Sequence, residues 1–380
     1  MKIAQCRWRK GTGWSPDLSG GGGSSSSNLV FVFGARTLLQ DGNLVRELRE
    51  HFEGAALIGC STSGEIVGDE VIDDSVIATA VTFDHTRLRT ADAKITQTKS
   101  SYQVGEELAR HLNDISLRHV FVVSDGLNVN GSDLARGLAS GVPRGVSITG
   151  GLSGDGTQFA ETWVIADGTE GPQHVAAVGL YGDHLGIGYG SMGGWKPFGP
   201  LRTITRAEAN VLYELDGHSA LDLYKTYLGD HADQLPGSAL LFPIVVTEAE
   251  GGDGVVRTVL SVSEQDKSMT FAGDIPQGGT AQFMKTNVND LVDGATDAAE
   301  ASLIGLGEKR PDLALLVSCV GRKLVMKQRI EEEIEAIRDV FGPDTSIAGF
   351  YSYGELCPFS QGGECRLHNQ TMTITTFAEA

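Results

Sequence analysis

The chain lacks any apolar run near the eighteen or so residues that cross a bilayer. Its best stretch, SALLFPIVV, is broken by Pro243. The opening MKIAQCRWRKGTGW has no apolar core of the kind that marks a secretory leader. A cytoplasmic protein without membrane insertion is expected. Basic residues are also scarce: 30 Lys and Arg stand against 49 Asp and Glu, giving a net charge of −19. A phosphate-backbone binder needs a basic surface, so nucleic acid is excluded as a partner, and an anionic lipid surface with it. Cysteines number five, an odd count in a chain of 380 residues, which argues against a secreted disulfide framework. Cys357 and Cys365 are spaced C-x7-C, but no second cluster completes a zinc site. There is no C-x-x-C-H, no Walker A loop and no H-E-x-x-H. Gly188, Gly190 and Gly193 fit G-x-G-x-x-G, yet Trp195, Pro197 and Pro200 stand where a dinucleotide-binding helix would begin.

Glycine is what the chain has in excess, 50 of 380 residues, nearly twice the usual share of about 7%. Most glycines follow apolar runs, a pattern of tight turns rather than of disorder. The exception is GGGGSSSS, Gly20 to Ser27, which reads as a tether. Residues 1–28 are therefore expected to be a flexible N-terminal segment. After them an order of elements recurs. LVFVFGA is a buried strand, DGNLVRELREHFEG a helix, AALIG a strand, and a glycine-rich turn follows. HVFVVSDG, GSDLARGLASGVP with Ser132 as N-cap, VSITG and GLSGDG repeat it. LALLVSC, KQRIEEEIEAIRDVFGP, SIAGF and YSYGEL repeat it again. Each unit is followed by an alternating stretch: SVIATAVTF, HVAAVGLYG, TMTITTF. The fold class is α/β, in two domains, with mixed sheets built from repeated βαβ-turn units and antiparallel edge strands. Pro and Gly cluster at GGWKPFGP, which divides the chain into 29–197 and 198–380.

Two of the turns align closely. In LIGCSTSGEI and IAGFYSYGEL, Gly59 matches Gly349, Gly64 matches Gly354, and Glu65 matches Glu355. Cys60 matches Phe350, so the thiol is not part of the repeated design. A Cys60 nucleophile would need a base, and no histidine lies close in sequence. The glutamates sit at the C-terminal edge of a sheet, where open α/β folds bind ligands. Their other reading is a hydrogen bond to nearby backbone.

With GCSTSGE, SCVGRK and GFYSYGEL…LHNQT, the sequence resembles the FIST family over about Leu29 to Phe377, with an N-terminal and a C-terminal FIST domain. The resemblance implies a sensory protein for small ligands, amino acids among them. It implies output through a histidine kinase, a cyclic-di-nucleotide enzyme or a chemoreceptor. No such segment occurs in this sequence, so a stand-alone sensor is expected. Some family members bind haem and respond to nitric oxide, which makes haem an alternative cofactor. The nine histidines do not single out an axial ligand.

A ligand pocket can be assembled from the repeated turns. Arg322 would grip a carboxylate, and Tyr351 and Tyr353 would form walls. Glu65 or Glu355 would receive an ammonium group. Ser61, Thr62 and Ser153 would donate hydrogen bonds, with Cys60, Gly64, Gly151 and Gly354 completing the surface. The leading expectation is a non-enzymatic sensor of a small ligand. A haem-based nitric-oxide sensor is second and a cysteine-dependent enzyme third.

Overall fold

A computed structural model describes residues 1–18, 27–252 and 254–380. Three units follow one plan. The first has parallel strands Leu29–Gly34 and Ala56–Ser61 joined by helix Asn43–His51. A short hairpin, Glu65–Val67 with Glu70–Ile72, follows, and then strand Ser75–Thr82 returns antiparallel to the first strand. The second unit repeats this with Leu117–Ser124, helix Gly131–Gly141, Ser147–Leu152, hairpin Val164–Ala166 with Thr169–Gly171, and His174–Tyr181. The third does so with Leu313–Cys319, helices Val320–Met326 and Glu331–Phe341, Ser346–Ser352, hairpin Gly354–Pro358 with Cys365–His368, and Met372–Glu379. Mixed α/β sheets are thus observed as expected.

The parallel strands are buried almost throughout because both faces are covered. Leu29, Phe31, Phe33, Phe121, Val123, Leu315, Val317 and Phe350 turn inward to one core shared by all three units. Phe33 and Phe350 meet at 4.6 Å, and Phe31 and Phe121 at 5.3 Å edge to face. The alternate residues face outward onto helices. Val30 and Val32 meet Leu44, Val45 and Leu48; Ala314 and Leu316 meet Ile334, Ile337 and Phe341.

Each hairpin leaves its own unit. The first unit's hairpin pairs with Ser346–Ser352 of the third, and the second's with Ala56–Ser61 of the first. The third's pairs with Ser147–Leu152 of the second. The exchange is cyclic. A ring of three backbone hydrogen bonds marks its axis: Ser63 N to Tyr351 O at 2.8 Å, Gly154 N to Ser61 O at 2.9 Å, and Tyr353 N to Leu152 O at 3.1 Å.

Two features depart from expectation. Residues 1–28 are not one flexible segment, because Lys2–Arg9 pairs along its whole length with Ser75–Thr82 and then with Gly13–Ser15. The alternation in KIAQCRWR suits a strand whose inner residue, Cys6, is buried. The tether lies outside the described residues, apart from Ser27. Next, Leu185–Met192 pairs with Met372–Glu379, so the third unit draws its edge strand from far upstream. The chain between 196 and 285 forms an inserted eight-stranded sheet with its own core around Leu221, Tyr224, Phe271 and Phe283.

Candidate functional site

The twelve residues proposed for a pocket do converge, apart from Arg322, on the ring where the hairpins are exchanged. Gly151 lies opposite Glu355 and Leu152 opposite Gly354. Glu65 lies opposite Phe350, beside Tyr351. Most of these side chains bond to one another rather than facing open space. Ser61 Oγ donates to Gly154 O at 2.7 Å and accepts from Trp163 N at 2.9 Å. Ser153 Oγ donates to Ser124 O at 2.6 Å. Tyr351 OH donates to Glu333 Oε1 at 2.7 Å. Tyr353 OH donates to Asp155 and stacks on Phe159 at 4.7 Å. Cys60 points into the shared core, fully buried, and burial pushes its thiol far up, the opposite of an activated nucleophile.

Arg322 does not face a ligand cavity. It is fully buried, and its Nε and Nη2 donate to Glu333 Oε2 at 3.1 and 2.7 Å. Nη2 also donates to Leu291 O at 2.8 Å, and Nη1 to Gly193 O. Four of its five N–H groups are spent on Glu333 of the third unit and on the backbone of Gly193 and Leu291 packed against it. The neighbouring residue is the one that reaches the first turn: Lys323 Nζ donates to Ser63 O at 2.9 Å and to Asp73.

Glu65 and Glu355 share one wiring. Glu65 Oε1 accepts from Thr62 Oγ1, and Oε2 accepts from Ser75 Oγ at 2.6 Å and Ser75 N at 3.2 Å. Glu355 Oε1 accepts from Ser352 Oγ at 2.6 Å, and Oε2 from Thr371 Oγ1 at 2.8 Å and Thr371 N at 3.2 Å. Each carboxyl staples its turn to the start of the returning strand. Burial raises Glu65 to about 7 and Glu355 to about 8. An acid raised in this way keeps its proton in the native state where the unfolded chain has lost it. The stability it contributes is full below the ordinary carboxyl range and drains as pH rises to about 7 or 8. The expected outcome is that Glu65→Gln gains in Tm relative to the native protein between about pH 5 and pH 8. Buried His119 and His368 titrate in the opposite sense, but they are common to both proteins and cancel in the difference. A pH-independent gap in paired melting curves would contradict the assignment.

Thr62, Gly64 and Glu65 line a cavity of about 130 Å³ between the first and second turns. Its remaining wall was not foreseen: Arg36, Asp73, Asp74, Asp155 and Gln158 take part. Arg36 stands two residues past the first strand; its Nη1 donates to Gln40 Oε1 at 2.9 Å and its Nη2 to Gln158 Oε1 at 3.4 Å, while its buried Nε has no hydrogen-bond partner among the described residues. Asp155 Oδ2 is 4.0 Å from that nitrogen. Asp155 itself is tied down, accepting from Phe159 N, Ala160 N and Glu161 N at 2.9 to 3.1 Å. The cavity therefore offers a guanidinium donor on one side and carboxylates on another. The signals in the sequence were the position of Arg36 at a strand end and the acid in GLSGDG.

Comparison with known proteins bears on this arrangement. The model of the FIST N domain matches residues 28–218, and that of the FIST C domain matches 220–358. Uncharacterized protein MJ1623 of Methanocaldococcus jannaschii is 23% identical over 353 residues, 81% of this chain. The match spans 65% of that relative's length. Among solved structures, a cyanuric acid hydrolase from A. caulinodans aligns over 99% of this chain and 98% of its own. Its sequence identity is 9% and its TM-score 0.39, a likeness too slight to carry any inference. FIST domains are associated with signal transduction and the sensing of small ligands. With both domain models matched in order across most of its length, this chain belongs to the FIST family.

Proposed function

We propose that the protein is a non-enzymatic sensor that binds an amino-acid-sized zwitterion in the cavity between the first and second turns. The observation that carries the reading is the Arg36 Nε, which among the described residues has the Asp155 carboxylate at 4.0 Å but no hydrogen-bond partner, in a cavity that Asp73, Asp74 and Glu65 also line. A ligand carboxylate would satisfy Arg36, and an ammonium group would meet the aspartates. A buried donor left unpaired costs free energy, so its satisfaction adds to binding. The volume of about 130 Å³ suits a small amino acid.

Asp73 also links the ligand to the rest of the fold. It accepts from Lys323, which belongs to the third unit. An ammonium group arriving at Asp73 competes with Lys323 and loosens the tie between the first and third units. The ligand then shifts the population between two packings and alters a docking surface. The signalling partner under this reading is a histidine kinase, a cyclic-di-nucleotide enzyme or a chemoreceptor.

The test is a thermal-shift screen with the common amino acids. One of them, at about a hundredfold its dissociation constant, is expected to add about 2.7 kcal/mol. Arg36→Ala and Asp73→Asn should abolish the shift while leaving the circular dichroism unchanged. No shift with any amino acid would overturn the reading. The haem alternative gains no support from this cavity, whose lining among the described residues has no histidine, cysteine or tyrosine. His119 is engaged by Ser147 and Thr149, and His368 by the Cys357 carbonyl.

A further inference from the structure

A second cavity, of about 290 Å³, opens where three parts of the fold meet. Helix Gly131–Gly141 gives one wall and strand Cys365–His368 another. Strands Ile244–Thr247 and Val255–Arg257 of the inserted sheet supply a third. Three arginines line it, Arg136, Arg257 and Arg366, in a chain where acids far outnumber bases.

The floor is Arg257, only 6% exposed. Its Nε donates to Asp274 O at 3.1 Å, and its Nη1 to Leu367 O at 3.0 Å and Val256 O at 3.3 Å. Its Nη2 donates to Ser132 Oγ at 3.3 Å. These are neutral acceptors. Among the described residues no carboxylate oxygen forms an ion pair with Arg257. A buried guanidinium without a carboxylate in direct contact is costly and is ordinarily paired. Asp274 and Glu248 act on it only through space, and the Asp274 carboxylate is already engaged by Arg136 at 2.7 Å and by Asn130 Nδ2 at 2.7 Å.

Ser132 is placed to help. It is not the helix N-cap: Asn130 Oδ1 accepts from Ser132 N and Asp133 N at 3.0 and 3.2 Å. The Ser132 hydroxyl accepts from Arg257 and from Asp274 N, which leaves its own proton to donate. Arg366 stands exposed at the rim, 5.6 Å from the Phe359 ring centroid, and makes no ion pair among the described residues. Glu248 and Glu364, also exposed at the rim, disfavour a ligand anionic at both ends.

We propose that this cavity is an anion site taking a small molecule with one carboxylate or phosphate head and a polar or cationic tail. The head lies on Arg257 and the Ser132 hydroxyl, with Arg366 beside it and the tail toward Glu248 and Glu364. Its walls come from the matched regions of both FIST domain models and from the strand just beyond them, so a bound ligand ties the two halves together. The site is separate from the cavity at Arg36.

Calorimetric titration of the full chain at fixed ionic strength tests this, with inorganic phosphate, phosphoethanolamine and γ-aminobutyrate as probes. Saturable binding of at least one probe is expected. It should weaken about tenfold to a hundredfold in Ser132→Ala and in Arg366→Gln. Arg36→Ala should leave it unchanged. Binding of the two phosphates alone identifies a phosphate head, and binding of γ-aminobutyrate alone a carboxylate. Absence of saturable binding for all three overturns the site, as does binding that survives Arg366→Gln or is lost in Arg36→Ala. Arg366 is exposed, so its variant folds and decides the matter even if Ser132→Ala disturbs the helix start.

Discussion

Gly59→Ala should leave no folded protein at growth temperature, with a loss above about 4 kcal/mol. A Cβ at Gly59 would lie 1.8 Å from Val32 O and 2.6 Å from Val32 C, the backbone of the adjacent parallel strand. That strand cannot yield, since it is hydrogen-bonded on its other side to Ser75–Thr82 and packed on both faces. Gly150 and Gly349 hold the matching positions, 1.8 Å from Val122 O and 2.0 Å from Leu316 O, and should behave alike. Gly237→Ala is the control: a Cβ there meets nothing within 4 Å, and its φ is not left-handed. That change should stay within about 1 kcal/mol of the native protein. Soluble yield and urea unfolding measure both. A folded Gly59→Ala protein of near-native stability would show that the parallel strands have room to separate.

Glu333→Ala is expected to cost about 3 to 5 kcal/mol. The loss would come from what remains behind. Arg322 would keep its charge in a fully buried site without the carboxylate it is bonded to, and Tyr351 OH and Ser318 Oγ would lose their acceptor. Replacing both charged residues, as Arg322→Met with Glu333→Leu, should cost less than the single change, because no uncompensated charge is left. Denaturant unfolding of the single and double variants decides this. If the single variant were the more stable, the pair would not be the structural element described.

The strand and helix plan of the three units could be read from apolar runs and helical periodicity, because those signals are local. The match of Gly59, Gly64 and Glu65 to Gly349, Gly354 and Glu355 was equally plain. The second unit, legible as a repeat from its order of elements, lacks the Gly-Glu turn. Gly156 stands at the glutamate position, and Asp125 at the end of the preceding strand binds the returning strand instead, accepting from Gln173 N at 3.0 Å. The hairpin exchange has no sequence signature, since pairing across units depends on tertiary geometry alone. Arg322 was favoured over Lys323 because guanidinium suits carboxylates. The helix turns Arg322 inward to Glu333, eleven positions on across a helix break, and a linear reading cannot see that partner. GGWKPFGP marked where the insertion of 196–285 begins, but not that the chain returns to the third unit afterwards, because the strands that flank it find their partners far away.

The cyclic hairpin exchange makes the molecule a three-way clasp. Remove the third unit, and the second unit's sheet loses its outer two strands while the first unit's hairpin has no sheet to join. Both losses expose unpaired edges of the kind that recruit other chains. A fragment cut between units is therefore an aggregation hazard rather than a small domain. The clasp also carries a perturbation at one turn to two sheets at once, because every turn belongs to the strand that ends in one sheet and to the hairpin that begins in the next.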